Sequence, residues 1–157
     1  MNSNNALRKQ LLNLLRAKNA HQPLESIVAN FPSTSFNSKF SSIPYSPWEL
    51  LEHMRIAQWD ILEFVRDPDH VSPEWPDGYW PPQGEAADEK RWSRTLALFN
   101  QDLAALESIV NDPETDFFRP IPHAPDYTIF REILLVADHN AYHLGQLIVL
   151  KRLLKII

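Results

Sequence analysis

Asp138-His139-Asn140-Ala141-Tyr142-His143-Leu144-Gly145-Gln146 places two histidines four residues apart. In a helix that spacing sets both imidazoles on one face, one turn apart. It is one way for a helix to offer two nitrogen ligands to a single metal ion. The same spacing also arises by chance, or as a satisfied pair on a polar face, so taken alone it leaves both readings open.

Working outward, the helix that carries the pair should begin near Asp126 to Thr128 and run to about Leu154. Phe130, Leu134, Ala137, Ala141, Leu144 and Ile148 form one apolar stripe along it. Leu135, Val136, His139, His143, Leu147 and Leu150 form a second on the other side, with Glu132 and Gln146 among them. A helix apolar on two sides is buried on two sides. One side would face a bundle interior, and the other would need a neighbouring helix at an angle or another subunit. Gly145 lies between the stripes, where it would allow a close helix contact.

Upstream, Ser46-Pro47-Trp48-Glu49 is a strong helix start. Ser46 suits the N-cap, Pro47 the first helical position and Glu49 the third, closing a capping box. This helix should run to about Arg66 and stop before Asp67-Pro68. On its wheel His53 shares a face with Glu49, Leu50, Ile56, Ala57, Asp60 and Phe64, while Leu51, Arg55, Gln58 and Leu62 lie opposite. Leu7, Leu11, Leu14 and Leu15 predict a helix over 5–19, and Pro23 opens a short helical turn over 23–30. Trp92, Leu96, Phe99, Leu103 and Leu106 predict another over 85–110, ended by Asn111-Asp112-Pro113.

Residues 31–45, 67–84 and 112–126 read as loops. The second holds five of the chain's 13 prolines together with Trp75, Tyr79 and Trp80. A loop of that length is usually functional or disordered, and three large aromatics argue against disorder. It is either a packed cover over the helix ends or a wall above the site. The loop histidine His123 reads as solvated, as do His21 and His70. Four helices and two long loops predict an all-α, up-down four-helix bundle with at least one long crossover, spanning 1–157 as a single domain. Metal sites in bundles are built from inward-facing side chains of neighbouring helices.

Tyr142-His143-Leu144-Gly145-Gln146 with its following apolar run, together with Trp48-Glu49-Leu50-Leu51-Glu52-His53-Met54, resembles the DinB/YfiT-like family. The most specific parts are 46–66 and 127–154, and the resemblance covers nearly the whole chain. It implies a four-helix metalloprotein with a three-histidine site, in which His53 joins His139 and His143. Three neutral nitrogen ligands leave a coordination position open, as in catalytic sites. Zinc fits the ligand type, and nickel, iron and manganese also accept imidazole. The family's thiol-dependent transferases make a low-molecular-weight thiol the expected cosubstrate for a small-molecule electrophile. Metal-assisted hydrolysis and a stress-response bundle that holds metal without turnover are the alternatives. Glu49 and Asp60, on the His53 face, are the candidates for general base or ligand orientation. Trp75, Tyr79 and Trp80 are the candidates for substrate contact.

Composition narrows the classes. A hydrophobic content of 44% and a charged content of 22% over 157 residues are ordinary for one soluble domain. A formal charge of −5, with no Lys/Arg cluster, argues against nucleic acid. There is no cysteine, so thiolate ligands and a cysteine nucleophile are excluded and a thiol must come from outside. No apolar run is long enough for a transmembrane helix. The N-terminus lacks the basic and apolar parts of a signal peptide, and the expected location is the cytoplasm. The doubly apolar last helix and the leucine-rich first helix predict a homodimer.

Overall fold

The computed structural model describes residues 3–18 and 20–156. Four long helices carry the architecture: α1 (Ser3–Leu15), α3 (Pro47–Arg66), α4 (Glu89–Asn111) and α5 (Ile129–Leu153). A short helix, α2 (Leu24–Val28), packs on α5. α3 and α1 each touch both α4 and α5, which closes the four into a bundle.

Direction follows from the hydrogen bonds between helices. Glu52 meets Thr95 and Gln58 meets the Phe99 carbonyl, so positions climb α3 and α4 together. Arg8 meets the Val110 carbonyl and Arg16 meets Glu107, so α1 runs against α4. The expected crossover is therefore the connection between α3 and α4. His53 faces His139 and His143 from α3, which brings the middle of the last helix beside the start of the third.

Helix starts obey local chemistry. The Ser46 capping box forms in full: its hydroxyl accepts from the Glu49 N–H at 3.2 Å, and Glu49 accepts from the Ser46 N–H at 2.7 Å. α4 starts at Glu89, later than the spacing predicted, because the Asp88 carboxylate accepts from the Arg91 N–H. Thr128 caps α5 in the same way through the Arg131 N–H. α1 stops at Leu15, short of the predicted end. Ala17 lies in the left-handed region with φ 53°, which no helix can continue through. The predicted loop at 112–126 also contains a small antiparallel ladder, β1 (Pro120–Ile121) and β2 (Ala124–Thr128).

The core corrects the two-sided reading of α5. Its buried face is one broad band of Ile133, Val136, Ala137, Asn140, His143, Leu144, Leu147 and Leu150, which draws from both apolar stripes. Positions three and four apart adjoin on a helix, so the two predicted stripes merge into one. Leu134 is left 38% exposed. A side chain at Gly145 would meet open space, so no close helix contact forms there within the chain. α3 is the central element: Leu51, Gln58 and Leu62 are as deeply buried as Leu50, His53 and Asp60 on the other side.

One buried cation fastens the helix ends. Arg8, 8% exposed, donates to the carbonyls of Val110, Asp112, Pro113 and Thr115. Its guanidinium also lies over the Phe117 ring. The carbonyls left over at the end of α4 thus find donors on a different helix.

Candidate metal centre

α3 contributes His53 and α5 contributes His139 and His143. His53 and His143 are buried, and His139 is half-buried. The Nε2 atom of His53 lies 3.1 Å from Nε2 of His143 and 3.1 Å from Nε2 of His139. One ligand nitrogen from each ring lies within 4.8 Å of the other two. Ligands about 2.0–2.1 Å from one ion at roughly right-angled to tetrahedral spacing stand about 2.9–3.4 Å apart, and the 3.1 Å separations fall in that range.

The outer ring nitrogens decide what the inner ones present. The Tyr79 carbonyl can only accept, so His53 Nδ1 must carry the hydrogen in their 2.8 Å contact. His143 Nδ1 likewise donates to the Gln146 amide oxygen at 2.7 Å. Both Nε2 atoms are then bare in the neutral rings, and two lone pairs face each other across 3.1 Å. That arrangement suits a cation between them.

A proton is a poor solution at neutral pH. Burial lowers the pKa of all three imidazoles. For His139 burial, with the neighbouring charges of His143 and His53, pulls it down to about 3. For His53 the Tyr79 carbonyl opposes the shift, and for His143 the Gln146 amide does. The donor set is therefore neutral, nitrogen-only and convergent, with two of its rings oriented by outer partners. It fits a divalent ion of the zinc class. Among the described residues no other group of three His, Asp or Glu side chains converges in this way.

Metal-free protein should consequently lose stability as the pH falls from neutrality. Unfolded imidazoles take up protons below about pH 6.5, whereas the buried ones resist to about 3 in the case of His139. In that interval the unfolded state binds more protons, so acid favours unfolding, and the stability is complete above it. Burial pushes the Asp102 and Glu132 carboxyls up, which acts with the opposite sign at lower pH. The comparison therefore belongs between about pH 7.5 and about pH 5.5. A urea midpoint that holds or rises over that step would contradict the arrangement.

The remaining expected site residues divide. Trp80 stacks on the His53 ring, centroids 4.1 Å apart and planes 6° from parallel. It also stacks with Tyr45 at 5.5 Å. Tyr79 meets His53 through its carbonyl, while its hydroxyl donates to Asp60 at 2.6 Å. Trp75 is 75% exposed, with its ring against Tyr79.

The two carboxylates are both engaged. Glu49 bonds the Ser46 N–H and the Lys39 ammonium. Burial pushes its carboxyl up, but those two hydrogen bonds outweigh burial and hold it below the usual range. Asp60 is buried and accepts from Tyr79 and from His70 Nε2 at 2.7 Å.

His70, expected to be solvated, thus has a side chain only 8% exposed. His123 donates to the Phe64 carbonyl, far along α3 from His53. Sequence reasoning missed Gln146, Tyr142 and Tyr45. Gln146 was signalled by its place one turn after His143. Tyr142 is 64% exposed with its ring edge on His143. Tyr45 precedes a helix cap and carried no local signal.

Lys39, Tyr45, Glu49, Trp80, Pro81 and Pro82 line a cleft of about 740 Å³ to which none of the three histidines contributes. Trp80 is the shared wall, with one contact to the cleft and one to His53. No described helix is long and apolar enough to cross a membrane. A family model described as the DinB superfamily matches residues 16–147. No curated protein and no solved structure matches the chain.

Proposed function

The chain belongs to the DinB superfamily, and from that premise we propose that it is a metal-dependent enzyme of the thiol S-transferase type. His53, His139 and His143 would hold a divalent ion, with zinc the first choice on ligand type. The observation that carries the reading is the convergence of three imidazole nitrogens, two of them with their Nε2 lone pairs set inward by outer partners. Bound there, such an ion would supply a Lewis acid that lowers the pKa of a coordinated thiol or water.

The chain's own residues supply the rest. With no cysteine present, the sulfur nucleophile must be a diffusible thiol. Trp80, Tyr45 and the paired prolines give the cleft flat apolar walls suited to an aromatic or alkyl electrophile. Glu49, held ionised at the cleft edge, is the available proton acceptor. Its contact with Lys39, whose side chain is 53% exposed, is of the weak surface kind that a ligand can displace.

The test is turnover of metal-loaded and metal-stripped protein with a panel of small thiols and chloro-aromatic acceptors. We expect product only when metal and thiol are both present. Product formed with metal and water alone would replace this reading by hydrolysis. Tight stoichiometric metal without any turnover would make the protein a non-catalytic metal-holding bundle.

The same reading includes a homodimer in the cytoplasm. On α5, Leu134, Tyr142, Val149 and Leu153 are exposed and fall within about 100° of one another on the helix. Gly145 lies among them with open space above it. A partner copy seated there should bury more than about 1,000 Å² in total. Light scattering should give twice 18.2 kDa; the monomer mass at every concentration tested would refute the dimer.

A further inference from the structure

The segment between α3 and α4 is rich in proline and short of its own backbone donors, yet it is fixed to α3 at several points. Asp60 lies two turns beyond His53 on the same helix. It is 7% exposed, and each of its oxygens has a partner. Oδ1 accepts from His70 and Oδ2 from the Tyr79 hydroxyl. Both partners come from the same connecting segment, so one carboxylate ties it down at two places. Hydrogen bonds to an ionised acceptor are the stronger kind. Burial, with the bond to Asp60, pushes the Tyr79 hydroxyl up to about 12, so it remains a donor throughout the neutral range.

What this anchor holds in place is specific. The Tyr79 carbonyl takes the His53 Nδ1 hydrogen, and the next residue, Trp80, lies flat on the same ring. The carbonyl fixes which nitrogen is bare, and the indole fixes the plane of the ring. A ligand imidazole needs both to be set before it can share an ion with two others.

Resting on the reading of His53 as a metal ligand, we propose that Asp60 is a positioning residue for it. Through Tyr79 it latches the segment whose carbonyl selects the His53 tautomer and whose tryptophan orients the ring. Asp60 bonds Tyr79 and His70 and is not among the residues that line the cleft. The first geometry of the site therefore depends on a carboxylate two turns away.

Two measurements on wild type, Tyr79→Phe, Asp60→Ala and Asp60→Asn test this. Long-range nitrogen–proton spectra of metal-free protein report the tautomer of His53. We expect Nδ1–H in wild type and a mixture of tautomers in Tyr79→Phe and Asp60→Ala. Titration with cobalt(II) reports the ligand set through its visible absorption. We expect the dissociation constant to rise about 10- to 100-fold in those two variants, as for lost outer-shell partners. Asp60→Asn keeps an acceptor for the Tyr79 hydroxyl and should recover most of the wild-type behaviour. Tyr79→Phe removes a single hydroxyl, so it folds even if Asp60→Ala does not. An unmoved tautomer with wild-type cobalt affinity in Tyr79→Phe overturns the proposal. So does a fall in thermal stability alone, which would make the latch merely structural. If wild type binds no cobalt, the metal reading fails, and the tautomer measurement still decides the positioning role.

Discussion

Replacing His143 by alanine should leave a protein that folds, holds no stoichiometric metal and turns nothing over. His53→Ala should behave alike. Each removes one of three convergent nitrogens, so metal affinity should fall by more than the roughly 10- to 100-fold expected for an outer-shell loss. The fold has little reason to fail with it. Trp48, Leu50, Leu51, Met54, Leu106, Ile133 and Leu147 are buried to 0% exposure around the bundle axis, and none of them depends on an ion.

Removing one imidazole also relieves the opposed lone pairs of metal-free protein, which offsets part of the packing lost. Circular dichroism and metal content on each variant, followed by the thiol panel, form the check. Full metal occupancy with unchanged turnover in either variant would rule out the proposed role. Collapse of wild type on metal removal would instead assign the ion a structural part.

The second large effect lies in the core. Trp92 is 6% exposed on α4, and its ring stacks on Phe36, centroids 4.1 Å apart and planes 1° from parallel. Phe31 leans on it at 5.5 Å. These two phenylalanines help hold the segment between α2 and α3 to the bundle, beside the Asn37 side chain, which bonds the Ala87 main chain at both its carbonyl and its N–H. Trp92→Ala should cost about 3–5 kcal/mol. In a domain of this size that is a fall in Tm of about 6–20 °C. Calorimetry on metal-free protein would show it, and a change below about 2 °C would mean that the cavity is refilled by its neighbours.

The outcome separates what local chemistry fixes from what distant partners fix. The start of α3 was fully legible, because Ser46, Pro47 and Glu49 satisfy the helix end among themselves. The two α5 histidines were legible from their spacing, and His53 joined them through the resemblance. Trp80 was legible as an aromatic in a loop that needed a reason to be there.

The burial of His70 and the partners of Asp60 were out of reach for a shared cause. Their partnership joins a helix to a loop, and nothing in either local sequence announces it. The outer contact of His53 was beyond reach because it is made by a main-chain carbonyl, which every residue possesses. The stripes of α5 were misplaced because a wheel shows angles but not which neighbours are present.

The grip of Arg8 on the end of α4 has a consequence for how the chain matures. Its nearest acceptor, the Val110 carbonyl, lies 102 positions downstream. During synthesis at about 5–20 residues per second, that guanidinium waits on the order of 5–20 seconds for the carbonyls it will hold. α1 therefore leaves the ribosome well before the helix end that it is to hold. In the interval its Leu11 and Leu15, buried in the finished fold, lack the partners on α4, so a chaperone's help would matter for this helix.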